Sequence, residues 1–499
     1  MLPSEAAAGL LIEPPVWPES KPIDSGTAAL SSSGRFGTIR GHDWLSALLF
    51  VACDIVSWIL LYGIVGFIRR DAFFVSPFEF VLVDLVVVAV IVQALYIVGG
   101  YSRNTEMRSL TYTTEHILAV IGAAVVSSLV IYSAAAFDAG MKPSRGVLLS
   151  TFIVFLPISL TYRRFLRRHI AASSASQTFL VVGSGELAKR FYEVYRDSPN
   201  HQQLEFVDDD ITRVGTPIAG EGSPRVQGGI GAKLAQLDRR YSGVILAESI
   251  DRLGHELIER LVRTQFQKAR VYTLESFYEA HWRHVPLHTI DPVWPLQMGF
   301  QLARLSPYHY LKRLCDIVLS AVLLVVFLPL FPLIILAIWL DSGRPAFFGQ
   351  VRVGREAQRF VAHKFRTMSN TGEPNGDIYT RKDDSRVTRV GRWLRRSRLD
   401  ELPQLWNVLR GDMSLIGPRA EWIKCVERYE TKIPFYHFRH LVKPGITGWA
   451  QVNYPYGESD EDAIQKLEYD LYYIRHYSLR LDTMILLKTM HTMARGKGR

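Results

Sequence analysis

Cysteine is nearly absent: the 499 residues contain three, Cys53, Cys315 and Cys425, each isolated. That excludes a disulfide framework and leaves no zinc-ligand spacing. A basic-then-apolar start is also missing, so no secretory signal is expected, and the Pro-, Ser-, Gly- and Ala-rich residues 1–40 read as a disordered cytoplasmic tail. Acid is in the minority, with a formal net charge of +10. A phosphate-bearing partner fits that excess: anionic lipid, sugar nucleotide or nucleic acid. Nucleic acid is set aside, because no recognition motif accompanies the charge.

What is present is apolar sequence gathered into blocks of membrane length. Four of them, Trp44–Ile68, Phe78–Val98, His116–Phe137 and Gly146–Tyr162, predict a four-helix transmembrane bundle over residues 41–170, the last block being short for a span. Arg35, Arg40, Arg103, Arg108 and the group Arg163, Arg164, Arg167 and Arg168 lie on one side of it. Arg69, Arg70, Lys142 and Arg145 lie on the other, so both ends are expected in the cytoplasm. Asp54 and Asp84 fall inside spans without an evident partner. Packing against a neighbouring helix is preferred for them over a transport role.

From Thr178 the pattern becomes α/β. TFLVVGSGELAKRFYEVYR reads as strand, glycine turn and helix, with Gly183, Gly185 and Ala188 as GxGxxA, and EFVDDD ends a second strand at Asp208–Asp210. A Rossmann-like cytoplasmic domain is expected over 171–309. Tight turning and close packing account for its glycines as readily as a bound nucleotide does. His281, His284 and His288 match no ligand spacing and are expected on the surface near the membrane.

Lys312–Asp341 is long enough to span a bilayer, but Pro329 and Pro332 stand in its middle. Each removes an amide donor and clashes one turn back, costing about 3 kcal/mol or more in a helix interior. Both flanks are basic, and a crossing would separate the C-terminal third of the chain from nucleotide-activated substrates made inside. A re-entrant hairpin is therefore preferred.

Chemistry is expected in Arg386–Ala420. The acid pair Asp400-Glu401 stands there among Arg386, Arg389, Arg392, Arg395, Arg396, Arg398, Arg410 and Arg419. Guanidinium forks suit phosphate, and the carboxylates suit a nucleophile, a metal ligand or a base. Leu402, Leu405, Trp406 and Leu409 have helical spacing, and Pro403 belongs in a first turn, so a helix should begin near Asp400. A capping acid beside a solvated basic face fits the same spacing.

The pieces KRLCDIVLSAVLLVVFLPL, HKFRTM, DDSRVTRVGRWLRRSRLDELPQLWNVLRGDMSLIGPRA and KPGITGWAQVN resemble, in that order, the bacterial sugar transferase family of polyprenyl-phosphate phosphoglycosyl transferases. The bundle and α/β domain upstream resemble its long form, which starts exopolysaccharide or O-antigen synthesis. The resemblance implies a catalytic domain over 310–499 with a re-entrant helix at 312–341 broken at Pro329. It implies Asp400 as nucleophile and magnesium ligand, with Glu401 as its catalytic neighbour, and Lys364, Arg366, Arg395 and Arg419 as phosphate-binding groups. The substrates implied are a UDP-sugar and undecaprenyl phosphate at the bacterial inner membrane, with the catalytic domain facing the cytoplasm. The family's GPRP is GPRA here, with Ala420 in the proline position. Amphipathic Asp482–Met493 is expected at the headgroup level. Trp393, Trp406, Trp422 and Trp449 fit either interfacial anchors or core residues. Self-association is compatible with the pattern. The alternatives are a nucleotide-dependent sugar oxidoreductase or epimerase using the GxGxxA domain, which lacks a Tyr-x-x-x-Lys pair, and a non-catalytic membrane scaffold.

Overall fold

The computed structural model describes residues 43–73, 84–102, 105, 107, 110–134, 144–174, 178–198, 202–237, 241–248, 252–267, 269–289, 300, 306–369, 384, 386–454 and 459–494. The expected tail at 1–40 lies outside them. The protein is mostly helical with some parallel sheet.

Helices α1 (Asp43–Arg70), α2 (Val86–Ile97), α3 (Leu110–Ala134) and α4 (Arg145–Ser174) open the described chain. Three of them contain segments long and apolar enough to cross a membrane: Ala47–Arg70, Tyr112–Ser133 and Arg145–Arg167. The last is longer than the sequence blocks suggested. The described helix of the second block, α2, has only 12 residues and is too short to span on its own. Trp58, Tyr62, Ile91, Leu95 and Phe155 form the core between these helices.

Asp54, which has no evident partner in the sequence and is read as packing against a neighbouring helix, has several partners there. Its carboxylate pairs with Arg163, both groups being at most 1% exposed, and accepts from Tyr101 Oη at 2.6 Å and from Tyr162. Arg163 also donates to Gly100 O at 2.6 Å. It is thus an internal counter-ion, not part of the surface charge that orients the bundle.

The next region is a four-stranded parallel sheet of order β2-β1-β3-β4. Its strands are β1 (Thr178–Val182), β2 (Gln203–Val207), β3 (Tyr241–Leu246) and β4 (Val271–Thr273). Helices α5 (Glu186–Arg196), α6 (Ile230–Ala235), α7 (His255–Gln267) and α8 (Leu274–His281) accompany them. Gly183 takes φ +102°, where a Cβ would come within 2.9 Å of Glu248. The amide that follows, Ser184 N, donates to Asp208 Oδ2 at 2.9 Å. In a dinucleotide fold that turn faces pyrophosphate; here it faces the protein's own carboxylates. The histidines are not uniformly at the surface. His281 stacks on Phe277 at 4.1 Å, His284 lies 3.2 Å from Glu468, and His288 alone of the three is exposed.

The proline-bearing segment is two helices, α9 (Tyr308–Phe327) and α10 (Leu330–Ser342), bent by 61° where the chain reaches Pro329. Pro329 precedes α10, and Pro332 falls in its first turn, where a missing amide costs little. On α9 the buried residues are Lys312, Asp316 and Ser320, one per helical turn, while Leu314, Val318, Val322 and Val325 are exposed. Such an inside-out helix, polar within and apolar without, suits lipid rather than water.

Candidate functional site

After α10 the chain forms the hairpin β5 (Phe347–Val353) and β6 (Arg359–Phe365), with Phe348 opposite Lys364. Helix α11 (Arg389–Ser397) follows, capped by Thr388, whose Oγ1 accepts from Gly391 N at 2.9 Å. A Cβ at Gly391 would stand 2.1 Å from Thr367 O, so glycine lets α11 lie against the end of β6. One turn further along, Arg395 Nε donates to Thr367 Oγ1 at 2.9 Å.

Helix α11 stops where Arg398 turns left-handed, at φ +61°. A 3-10 turn over Leu399–Glu401 then carries the acid pair, and Pro403 precedes α12 (Gln404–Arg410). The helix expected from Asp400 therefore begins a turn later, with both acids in the tighter turn before it. Asn407 fixes α12 to β6: its Nδ2 donates to Val361 O at 2.8 Å and its Oδ1 accepts from His363 N at 3.1 Å. At the far end, Arg313 of α9 donates to Val408 O at 2.6 Å and Leu409 O at 2.8 Å, satisfying carbonyls the helix leaves open. Strand β7 (Ser414–Ile416) pairs with β8 (Gly445–Thr447), and a bridge between Arg419 and Gly445 extends that pairing.

These elements bring the acids and most of the expected cations together. Lys364 Nζ donates to Glu401 Oε1 at 2.7 Å, and Arg419 donates to the same oxygen at 3.3 Å. Arg398 lies 3.8 Å from Glu401 Oε2. Burial works against ionisation of Glu401, but Lys364, Arg419 and Arg398 outweigh it and hold the carboxyl below the usual glutamate range. Asp400 differs. It is buried, and among the described residues its carboxylate accepts no hydrogen bond. Burial, then the charge of Glu401, raises its pKa, against the pull of Lys364, Arg395 and Arg398. A tied acid thus sits next to an unspent one. Arg352, Lys364, Gln404 and Arg419 line the pocket beside them.

One expected phosphate ligand is not in this group. Arg366 is 5% exposed and directs its guanidinium at Ser342 O (2.7 Å), Ser342 Oγ (3.0 Å) and Gly343 O. Its Nη2 holds the exit of α10, while its buried Nε has no hydrogen-bond partner. Two cations near the acids are not among the expected ligands. Arg398 stands three residues before Glu401, a spacing that would have suggested it. Arg352 is held by Ala420 O, 68 residues away, and nothing local marks it. Of the tryptophans, Trp449 is core, its Nε1 donating to Arg283 O at 2.8 Å, and Trp422 is half-buried. Trp393 and Trp406 are each 59% exposed.

The C-terminal elements brace this site. They are α13 (Ile423–Lys432), α14 (Trp449–Asn453), α15 (Asp460–Arg475) and α16 (Leu479–Ala494). Asp482 of α16 accepts from Tyr308 at 2.6 Å, from Tyr473 at 2.9 Å and from Lys312, anchoring the foot of α9. The amphipathic run at 482–493 packs on α2 and α3, with Leu487 against the bundle core, so protein covers part of the face expected to meet lipid.

Residues 307–496 match the family model for bacterial sugar transferases. The chain is 40% identical over 260 residues to a UDP-N-acetylgalactosamine-undecaprenyl-phosphate N-acetylgalactosaminephosphotransferase of Aeromonas hydrophila, covering 52% of this chain and 60% of that protein. It is 43% identical over 237 residues to a UDP-glucose:undecaprenyl-phosphate glucose-1-phosphate transferase of Escherichia coli K12, covering 47% and 50%. To the exopolysaccharide production protein PSS of Rhizobium leguminosarum bv. phaseoli it is 40% identical over 195 residues, 38% of this chain and 98% of that protein. The chain thus spans half to three fifths of the first two relatives and nearly all of the third. It belongs to the bacterial sugar transferase family.

Proposed function

We propose that this chain transfers a hexose 1-phosphate from a UDP-sugar to undecaprenyl phosphate, as the first membrane step of exopolysaccharide or O-antigen synthesis. The observation that carries the reading is the contrast inside the acid pair: Glu401 bound by Lys364 and Arg419, Asp400 buried beside it with no hydrogen bond among the described residues. A carboxylate so left is free to attack, and the cations that oppose its raised pKa also offset the charge of an arriving diphosphate. The substrates named for the relatives supply donor and acceptor.

The steps balance as two displacements at one phosphorus. An Asp400 carboxylate oxygen attacks the sugar-bearing phosphorus, the bond to the second phosphate breaks, and UMP leaves. A phosphate oxygen of undecaprenyl phosphate then attacks the same phosphorus. The lipid diphosphate sugar departs and the Asp400 carboxylate is restored. Lys364, Arg395 and Arg419 hold phosphate oxygens, and Glu401 orients Lys364 and Arg419. With its depressed pKa, Glu401 is a poor base.

Among the described residues no group of three or more His, Cys, Asp or Glu could form a metal cage. Asp400, whose carboxylate accepts no hydrogen bond among the described residues, would be the residue to hold a magnesium, an ion that takes few ligands from protein. When bound, the ion would neutralise charge on the diphosphate oxygens. The bent pair α9 and α10 is read as a re-entrant hairpin in the bacterial inner membrane, which keeps the acid pair on the cytoplasmic side with the α/β region. The exposed apolar face of α9 and its buried polar stripe support that placement.

The test is UMP release from several UDP-sugars by the full chain in membranes with magnesium. Release from one donor, abolished by Asp400→Asn, is expected. Normal turnover in that variant would remove the nucleophile. NAD binding with redox turnover and no UMP would instead favour the oxidoreductase reading, against which Asp208 already occupies the glycine turn.

A further inference from the structure

A second cationic pocket lies at the foot of α9, outside the acid pair's own. His309, Lys312, Arg313 and Asp316 from α9, Arg355 from the turn after β5, and Lys443 from the loop before β8 converge on it. Three of these are already committed. Lys312 is tied to Asp482, Arg313 to the end of α12, and Asp316 Oδ1 accepts from Ser414 Oγ at 3.1 Å and Leu415 N at 3.0 Å. The others are not. Lys443 has no hydrogen bond or ion pair among the described residues, and Arg355, although 3.2 Å from Glu356, has a buried Nε without a hydrogen-bond partner. Burial, then Arg313 and Arg355, pull the Lys443 pKa down and outweigh the opposing pull of Asp316 and Asp412, so positive charge predominates around this ammonium.

The ligand class follows from the geometry and, for its source, rests on the re-entrant reading of α9 and α10 given above. Just beyond the pocket α9 turns its exposed Leu314, Val318 and Val322 outward, so with α9 and α10 dipping into the membrane the pocket opens at headgroup level. Cations arriving from three elements suit a tetrahedral group with several acceptor oxygens better than a planar carboxylate. We propose that this pocket binds a phosphate ester, and that the phosphate is that of a membrane lipid held apart from the reacting centre. The two sites are mechanically joined. Arg313 closes the C-terminal end of α12, whose N-terminal end follows the acid pair, and the helix is about 10 Å long by its 7 residues. Gly445, two residues after Lys443, lines the catalytic pocket. A headgroup docked here would fix the depth of Asp400 at the membrane surface.

The experiment is native mass spectrometry of the full chain from detergent, with phosphatidylglycerol, diacylglycerol and inorganic phosphate as separate probes. Phosphatidylglycerol should stay bound, diacylglycerol should not, and the double variant Lys443→Gln, Arg355→Gln should retain the lipid about a hundredfold less, since two contacts to charged groups are lost. Lys443→Arg should restore retention, which a fold defect would not allow. Asp400→Asn should retain lipid as the unaltered chain does, whatever becomes of turnover, so failure of the catalytic reading stays separate from failure here. Undiminished lipid binding by a folded double variant would overturn the proposal. Binding of inorganic phosphate without the lipid would overturn the lipid assignment and leave a free anion as the ligand.

Discussion

Lys364→Met should cost the protein both stability and activity, and the size of the first can be worked from distances. Three cations face Glu401: Lys364 at 2.7 Å, Arg419 at 3.3 Å and Arg398 at 3.8 Å. At an effective dielectric constant of about 20, Coulomb's law gives gross attractions of about 6, 5 and 4 kcal/mol. Lys364 thus supplies about two fifths of the attraction that offsets burial of the carboxylate. Breaking a buried pair outright costs roughly 3–5 kcal/mol. Two partners remain here, so a loss of about 2–3 kcal/mol is expected. Glu401→Gln in the Lys364→Met background should recover most of it, because no charge is then stranded. The sign with pH follows from the depressed Glu401 pKa. Its contribution is present above the unfolded value of about 4.3 and is lost as pH falls from there through the folded value. Thermal unfolding of the four chains of this double-mutant cycle in detergent, at neutral pH and at about pH 2.5, well inside the window of loss, makes the measurement. The gap between Lys364→Met and the unaltered chain should narrow in acid. A single-variant loss under about 0.5 kcal/mol, the range of an uninvolved surface change, would refute the coupling, as would strict additivity in the double variant.

Arg366→Met should lower the unfolding temperature while leaving the Michaelis constant for the donor unchanged, since its Nη2 ties Ser342 and Gly343 at the exit of α10; a raised Michaelis constant at unchanged stability would return it to phosphate binding. Arg163→Met should strand Asp54 and destabilise the membrane helices by about 3–5 kcal/mol, and Asp54→Asn on top should recover much of that. Unfolding in detergent decides it, equal stability of all variants being the contrary result. Turnover should also have an acidic limb set by Asp400. Its raised pKa means the attacking carboxylate is lost at a pH above the ordinary value of about 3.9. Arg395→Gln should move the limb to higher pH, and a limb that stays put would deny Arg395 any influence on Asp400.

The sequence made most of the catalytic stretch legible because its signals are local. Pro329 and Pro332 mark the bend, Pro403 the entry to α12, and Gly183 the turn after β1. What stayed hidden depends on partners far away in the chain. Asp54 and Arg163 are 109 residues apart, and no periodicity connects them. Lys364 and Arg366 share a motif and, at a spacing of two, would share a face of a continued strand. The strand ends at Phe365, so Arg366 turns to α10 while Lys364 meets Glu401. Trp449 and Trp406 are alike in sequence. One fell in the core and one outside only once α14 and α12 were packed.

The most direct measurement is the intact mass of the protein after incubation with a UDP-sugar and no lipid acceptor. One hexose phosphate should be added, mapped by peptide fragmentation to Asp400 and removed when undecaprenyl phosphate is supplied. Product formation by a chain whose Asp400 peptide never gains that mass would contradict the covalent route.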